Sequence, residues 1–212
     1  MLYYETVDES TLELLKKLQS LRMFSEMRLV GGTSLALQIG HRKSIDIDLF
    51  GVLDIDFDAL TDELKTIGDV VVLGNSKNIH TYLIDEIKVD IVHFEYPWLR
   101  NRLEVDGIYL AGIEDIAAMK LGAIIGRGSK KDFIDLYYIL QQFDLTQLLS
   151  FYGQKYHPNG SIFLVLKSLV YFEDAENEAM PWMFHDLSWE EVKTTIQNAH
   201  AAYLFSGRNN IT

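Results

Sequence analysis

The run Val30-Gly31-Gly32-Thr33-Ser34, followed by Ser44-Ile45-Asp46-Ile47-Asp48-Leu49-Phe50, constrains the fold more than any other part of this 212-residue chain. Arg28-Leu29-Val30 is a short strand candidate that runs into two glycines. A short helix is predicted to start near Thr33 or Ser34 and to stop at Gly40, because glycine readily takes the left-handed conformation that closes a helix. Glycines let a phosphate approach the backbone closely. The first turn of a helix offers N–H groups without intrahelical acceptors and the positive end of the dipole, so a phosphate can be held there without a lysine. Asp46 to Phe50 alternates polar and apolar residues, which is the period of a strand. Residues i and i+2 of a strand share a face, so Asp46 and Asp48 project together, while Ile45, Ile47 and Leu49 are expected to face a core. Two carboxylates on one face repel each other unless a cation lies between them, and hard oxygen donors suit Mg²⁺. A third carboxylate is then expected on a neighbouring strand, and Lys88-Val89-Asp90-Ile91-Val92 supplies Asp90. Its alternation with Val89 and Ile91 fits an exposed residue on a half-buried strand as well as a ligand.

The other elements follow from periodicity. Ser10-Thr11-Leu12-Glu13 reads as a capping box that opens a helix with Leu12, Leu15, Leu18 and Leu21 on its core face. A helix over 57–67 and strands over 70–73, 81–84 and 88–94 come next, the last two joined as a hairpin by Asp85-Glu86. Residues 105–110, broken by Gly107, form an edge strand candidate. Beyond Gly112 helices are predicted over 113–125, 132–143, 162–172 and 188–203, the last opened by a second capping box, Ser188 and Glu191. The expected class is α+β: a small mixed β-sheet core with flanking helices over 1–112, followed by a C-terminal helical region over 113–212. No linker rich in Pro, Gly or Ser separates the two, so the helical region is expected to pack on the core.

Composition excludes several functions. There is no cysteine, which removes disulfide scaffolds, thiolate zinc sites and cysteine nucleophiles. The formal net charge of −12 makes the chain a poor general binder of nucleic-acid backbones. Only a local patch would change that, and Arg100, Arg102, Lys120, Arg127, Lys130 and Lys131 are the candidates for one. The opening MLYYETVDES has no basic region leading into an apolar run, and no stretch approaches the roughly 18 apolar residues of a membrane span, so a cytoplasmic protein is expected. His41-Arg42-Lys43 reads equally as a solvated loop or as a contact to a polyphosphate or an acceptor. Asp54, Asp56 and Asp58 suit a helix N-terminus, where acids are favoured. The six histidines lack metal-ligand spacing.

The combination of two glycines, a short helix, an apolar-Asp-apolar-Asp-apolar strand and a later apolar-Asp-apolar strand resembles the DNA polymerase β-like nucleotidyltransferase superfamily. More narrowly, LVGGTSLALQIGHRKSIDIDLF resembles the branch of AbiEii/AbiGii-type toxins. The later run from Lys120 through Arg127 to Lys131-Asp132 and Asp135-Leu136 is similar to that branch's other motif. The resemblance covers roughly residues 28–140 and implies a nucleotidyltransferase core. It implies that Gly31, Gly32, Thr33 and Ser34 contact a nucleoside triphosphate, that Asp46, Asp48 and Asp90 bind two Mg²⁺ ions, and that Lys120 and Arg127 steady nucleotide phosphates. Asp132 falls where the branch has a further acidic residue, which orients Lys120 or the acceptor. The helical stripe Ile113, Ile116, Ala117, Leu121 and Ile124 places Lys120 within an apolar face, and a buried lysine needs an anion nearby. The alternative is a lysine that snorkels from the edge of that face.

The implied reaction is transfer of a nucleotidyl group from an NTP to a hydroxyl or phosphate acceptor: a tRNA or other RNA end, a protein hydroxyl or a small molecule. A toxin role with a cognate antitoxin accompanies it. The competing reading is a nucleotide-binding or toxin–antitoxin interaction module without turnover. A P-loop phosphotransferase is disfavoured because no G-x-x-x-x-G-K-[ST] run is present.

Overall fold

Residues 1–209 are described by a computed structural model. They fall into two compact units: Met1–Tyr96 with Asn101–Gly112, and Pro97–Arg100 with the chain from Ile113 onward. The sequence suggests one cut after residue 112, and the segment Pro97–Arg100 departs from that simple division.

The first unit contains α1 (Glu9–Ser20), β1 (Arg28–Leu29), α2 (Gly31–Ile39), β2 (Ile47–Gly51), α3 (Phe57–Leu64), β3 (Val70–Asn75), β4 (Ile79–Ile84), β5 (Ile87–His93), β6 (Leu103–Val105) and β7 (Ile108–Leu110). The strands form a mixed seven-stranded sheet in the order β3-β4-β5-β2-β1-β7-β6. β2 and β5 run parallel, as do β1 and β7, and the remaining neighbours are antiparallel. The hairpin expected at Asp85-Glu86 is formed: both residues have positive φ, as a two-residue turn of right-handed twist requires. The expected edge strand over 105–110 is instead a hairpin turning at Asp106-Gly107, and its inner strand β7 pairs with β1.

One face of the sheet is the core. Leu29, Ile47, Leu49, Tyr82, Ile84, Val89, Ile91, Ile108 and Leu110 join Leu14, Leu15 and Leu18 of α1 and Leu60 and Leu64 of α3 in one buried cluster. Alternation puts Asp48, Phe50 and Asp90 on the other face, where they are only partly buried. Ile45 was expected to follow Ile47 and Leu49 inward, but it lies before the strand begins and is 60% exposed.

One capping expectation is corrected and another is met. Helix α1 begins one residue before Ser10, with Asp8 at the N-cap and no side-chain cap bond, so the Ser10 box is not formed. At α3, Asp56 does cap the helix, accepting from Ala59 N at 2.9 Å.

The second unit contains α4 (Ile113–Gly126), α5 (Lys130–Ile139), α6 (Leu145–Tyr156), α7 (Ile162–Ser168), α8 (Glu173–Glu176) and α9 (Trp189–Asn209). Helix α6 has no counterpart among the sequence-predicted elements, although Asp144 and Gln147 build a full capping box at its start. The predicted helix over 162–172 stops at Ser168. Ser188 Oγ accepts from Glu191 N at 3.1 Å, while the Glu191 carboxylate takes the Tyr137 hydroxyl instead of closing the box. Pro97–Arg100 is tied into this unit by Asp115 and Lys155, both buried: Asp115 accepts from Leu99 N, Arg100 N and Lys155 Nζ, and Lys155 also donates to Pro97 O. Trp98 lies under the same ammonium, 4.6 Å from ring centroid to Nζ. No helix among the described residues is long and apolar enough to cross a membrane.

Candidate functional site

The glycine turn is built by close approach. Val30 N donates to Asp48 O at 2.9 Å, so the end of β1 is clamped beside Asp48 before the chain turns. Gly31 has φ +67°, which a side chain rarely adopts, and a Cβ there would collide with Asp48 Oδ2. A Cβ at Gly32 would collide with Arg42 Nη2. The positive φ lets helix α2 start at Gly31 itself, earlier than the expected start near Thr33 or Ser34. Gly40, also at positive φ, ends it as expected.

This early start changes what Thr33 and Ser34 do. Both are buried. Thr33 Oγ1 donates to Asp46 O and shares a 2.9 Å hydrogen bond with Ser44 Oγ, and Ser34 Oγ accepts from Gln38 Nε2 at 3.1 Å. Their hydroxyls thus tie the Ser44–Asp46 loop to α2 and brace the helix. His41 and Arg42 are 1% and 3% exposed, which decides against a solvated loop. Arg42 is packed against Gly32 and donates to Lys43 O, a position the sequence left undecided.

Asp48 and Asp90 share one face of the sheet, and Asp46 lies near enough to act on the same Lys88 ammonium. Asp46 precedes β2, and Asp48 and Asp90 are direct partners in the parallel β2–β5 register. Neighbouring strands lie about 5 Å apart, so two like charges at one level repel unless something positive meets them. A positive group that meets Asp90 is Lys88, whose Nζ lies 2.5 Å from Asp90 Oδ2. Burial disfavours the Lys88 ammonium, but the hydrogen bond to Asp90 and the charges of Asp90, Asp48 and Asp46 outweigh it and raise its pKa. The other Asp90 oxygen, Oδ1, is buried and has no hydrogen-bond partner. Among the described residues, no three acidic or imidazole side chains close around a common point as a cation site. The donor chemistry nevertheless fits a hard divalent cation: carboxylate oxygens on one face, one of them buried and unmet.

Within the second unit, Lys120 does not snorkel. It is 5% exposed and lies 3.0 Å from Asp132 Oδ1 and 2.5 Å from Asp135 Oδ2. Asp132 also accepts from Arg127 Nε, Arg127 Nη2 and Ser129 Oγ. Burial alone would raise the Asp132 pKa, but the charges and hydrogen bonds of Lys120 and Arg127 overcome it and lower it to about 2. Arg127, with its side chain 69% exposed, is the member of this network that reaches solvent. Asp135 completes the network, and the only sequence sign of it was its place in the Asp-Leu of the later motif. The proposed basic patch is not assembled as expected: Lys120 and Lys130 are both buried, Lys130 donating to the Glu176 and Glu178 carbonyls, and Arg100 is paired with Glu114.

The chain is similar to known proteins in sequence and in fold. The family model described as nucleotidyl transferase AbiEii toxin, type IV TA system, matches residues 13–196. An uncharacterized protein of Aquifex aeolicus (strain VF5) is 37% identical over 200 residues, covering 91% of this chain and 95% of that protein. The crystal structure of JHP933 from Helicobacter pylori superposes with a TM-score of 0.53 at 19% identity, covering 96% of this chain and 97% of that one. MenT4, a nucleotidyltransferase toxin from Mycobacterium tuberculosis H37Rv, superposes with a TM-score of 0.62 at 12% identity, covering 91% of this chain and 80% of that one. At such identities the structural likeness speaks for the fold.

Proposed function

The chain belongs to the AbiEii family of nucleotidyltransferase toxins of type IV toxin–antitoxin systems, and on that premise we propose that it transfers a nucleotidyl group from a nucleoside triphosphate to a hydroxyl or phosphate acceptor. The observation that carries this reading is the pairing of Asp48 with Asp90 beside the Gly31 turn. Asp46, Asp48 and Asp90 are the residues proposed to hold Mg²⁺. A divalent cation bound there would supply positive charge to the transferring phosphoryl group and to the attacking oxygen. The backbone N–H groups of the Gly31-Gly32 turn point a helix N-terminus at the triphosphate and orient it. Arg42, buried against Gly32, adds a fixed positive charge at the same turn. The work of these groups is to position charge, which is what nucleotidyl transfer demands of a protein. In the second unit, the Lys120–Asp132 pair is proposed to hold Arg127 as an anion-binding group. An antitoxin is the proposed protein partner.

The test is incubation of the purified chain with each α-labelled NTP and Mg²⁺, together with total tRNA, protein extract or small-molecule pools. Label moving into one pool supports the reading and identifies the acceptor class. NTP binding without label transfer or pyrophosphate release in any pool would instead favour an interaction module.

A further inference from the structure

Lys88 belongs to none of the glycine, aspartate or lysine motifs, yet it meets the carboxylates directly. It precedes Asp90 by two residues on β5, so the two side chains leave the same face of the sheet. Its Nζ takes Asp90 Oδ2 at 2.5 Å, while Oδ1 of the same carboxylate is buried and unmet. Asp48 stands beside Asp90 in register.

We infer that Lys88 is a placeholder cation: it holds Asp90 in the ion-free protein, and a divalent cation must displace its ammonium from Asp90 Oδ2 to gather the carboxylates. This rests on the carboxylate-site reading above. The two cations compete for one carboxylate, because the ammonium on Oδ2 already offsets the charge that would draw a metal to Asp90. The ammonium can leave without disturbing the core, since its flexible stem starts from a side chain that is 43% exposed. Displacement substitutes a double charge for a single one, so repulsion among Asp46, Asp48 and Asp90 falls when the ion enters. Removing the lysine takes away the charge that meets Asp90 and raises the demand for an ion there. Lys88 is therefore a positioning residue that sets how tightly the site loads.

The experiment is calorimetric titration of Mn²⁺ into the full chain without nucleotide, for the wild type, K88M, K88R, D90N and the K88M/D90N double variant. K88M is expected to bind Mn²⁺ about tenfold more tightly than wild type, and K88R within about twofold of it. In the D90N background, K88M is expected to change nothing, because the contested oxygen pair is altered. Equal or weaker Mn²⁺ binding by K88M overturns the inference, and so does an undiminished K88M effect in D90N. If neither the wild type nor K88M takes up Mn²⁺, the carboxylate-site reading itself fails and the inference fails with it. K88Q provides a second neutral variant, and thermal melts of both are expected to stay close to wild type because the side chain is partly exposed.

Discussion

Asp48 and Asp90 stand side by side on the parallel strands β2 and β5, on the sheet face opposite the packed core. Like charges directly opposite on neighbouring strands are destabilising, and Lys88 meets the Asp90 member of the pair.

Asp46→Asn, Asp48→Asn and Asp90→Asn are each expected to lower nucleotidyl transfer by at least about a hundredfold. These side chains are partly exposed and lie outside the core. Melting temperatures are expected to stay near or above wild type, because removing one of several like charges relieves repulsion. Circular dichroism melts beside the transfer assay check both halves.

Gly31→Ala is expected to be destabilising by about 1–3 kcal/mol, since it forces a side chain into positive φ. It also drives a Cβ into the Asp48 carboxylate, so activity should fall more than stability explains. Urea unfolding and the transfer assay at saturating NTP separate the two effects.

Lys120→Met leaves Asp132 and Asp135 buried with one counter-charge fewer. The expected destabilisation is about 3–5 kcal/mol, the usual result of breaking a buried pair from one side. A denaturant midpoint close to wild type would contradict the network.

Acid stability gives a signed test of the same network. The Asp132 pKa is lowered in the folded protein from 3.8 to about 2. Its ionised form therefore stabilises the fold above about pH 4, and that contribution is lost as pH falls toward 2. The wild type should lose melting temperature across that window more steeply than Asp132→Asn, which has no such proton to bind. Parallel slopes for the two proteins would contradict the assignment.

Much of the sheet was legible because strand periodicity is a local property. The alternation from Asp46 to Phe50, the Asp85-Glu86 hairpin and the Gly40 stop are all realised close to where the residues put them. The parallel pairing that brings Asp90 to Asp48 was expected only in outline, because register between strands some forty residues apart is set by tertiary packing. The start of α2 lies earlier than its residues suggest because positive φ at Gly31 was not anticipated, and the bonds of the Thr33 and Ser34 hydroxyls to Asp46, Ser44 and Gln38 are tertiary or helical details with no local sign. Burial of Arg42 left no local trace, since a basic residue in a His-Arg-Lys run reads as surface until the fold closes over it. Lys88 was hidden for a similar reason: its meaning comes from facing the same way as Asp90, beside Asp48 on the next strand.

The most direct measurement is Mg²⁺-dependent pyrophosphate release from each NTP by the wild-type chain and by Asp48→Asn. The account predicts release by the wild type with at least one NTP, abolished by chelation and by the substitution. Equal release by the two proteins, or release indifferent to chelator, would contradict it.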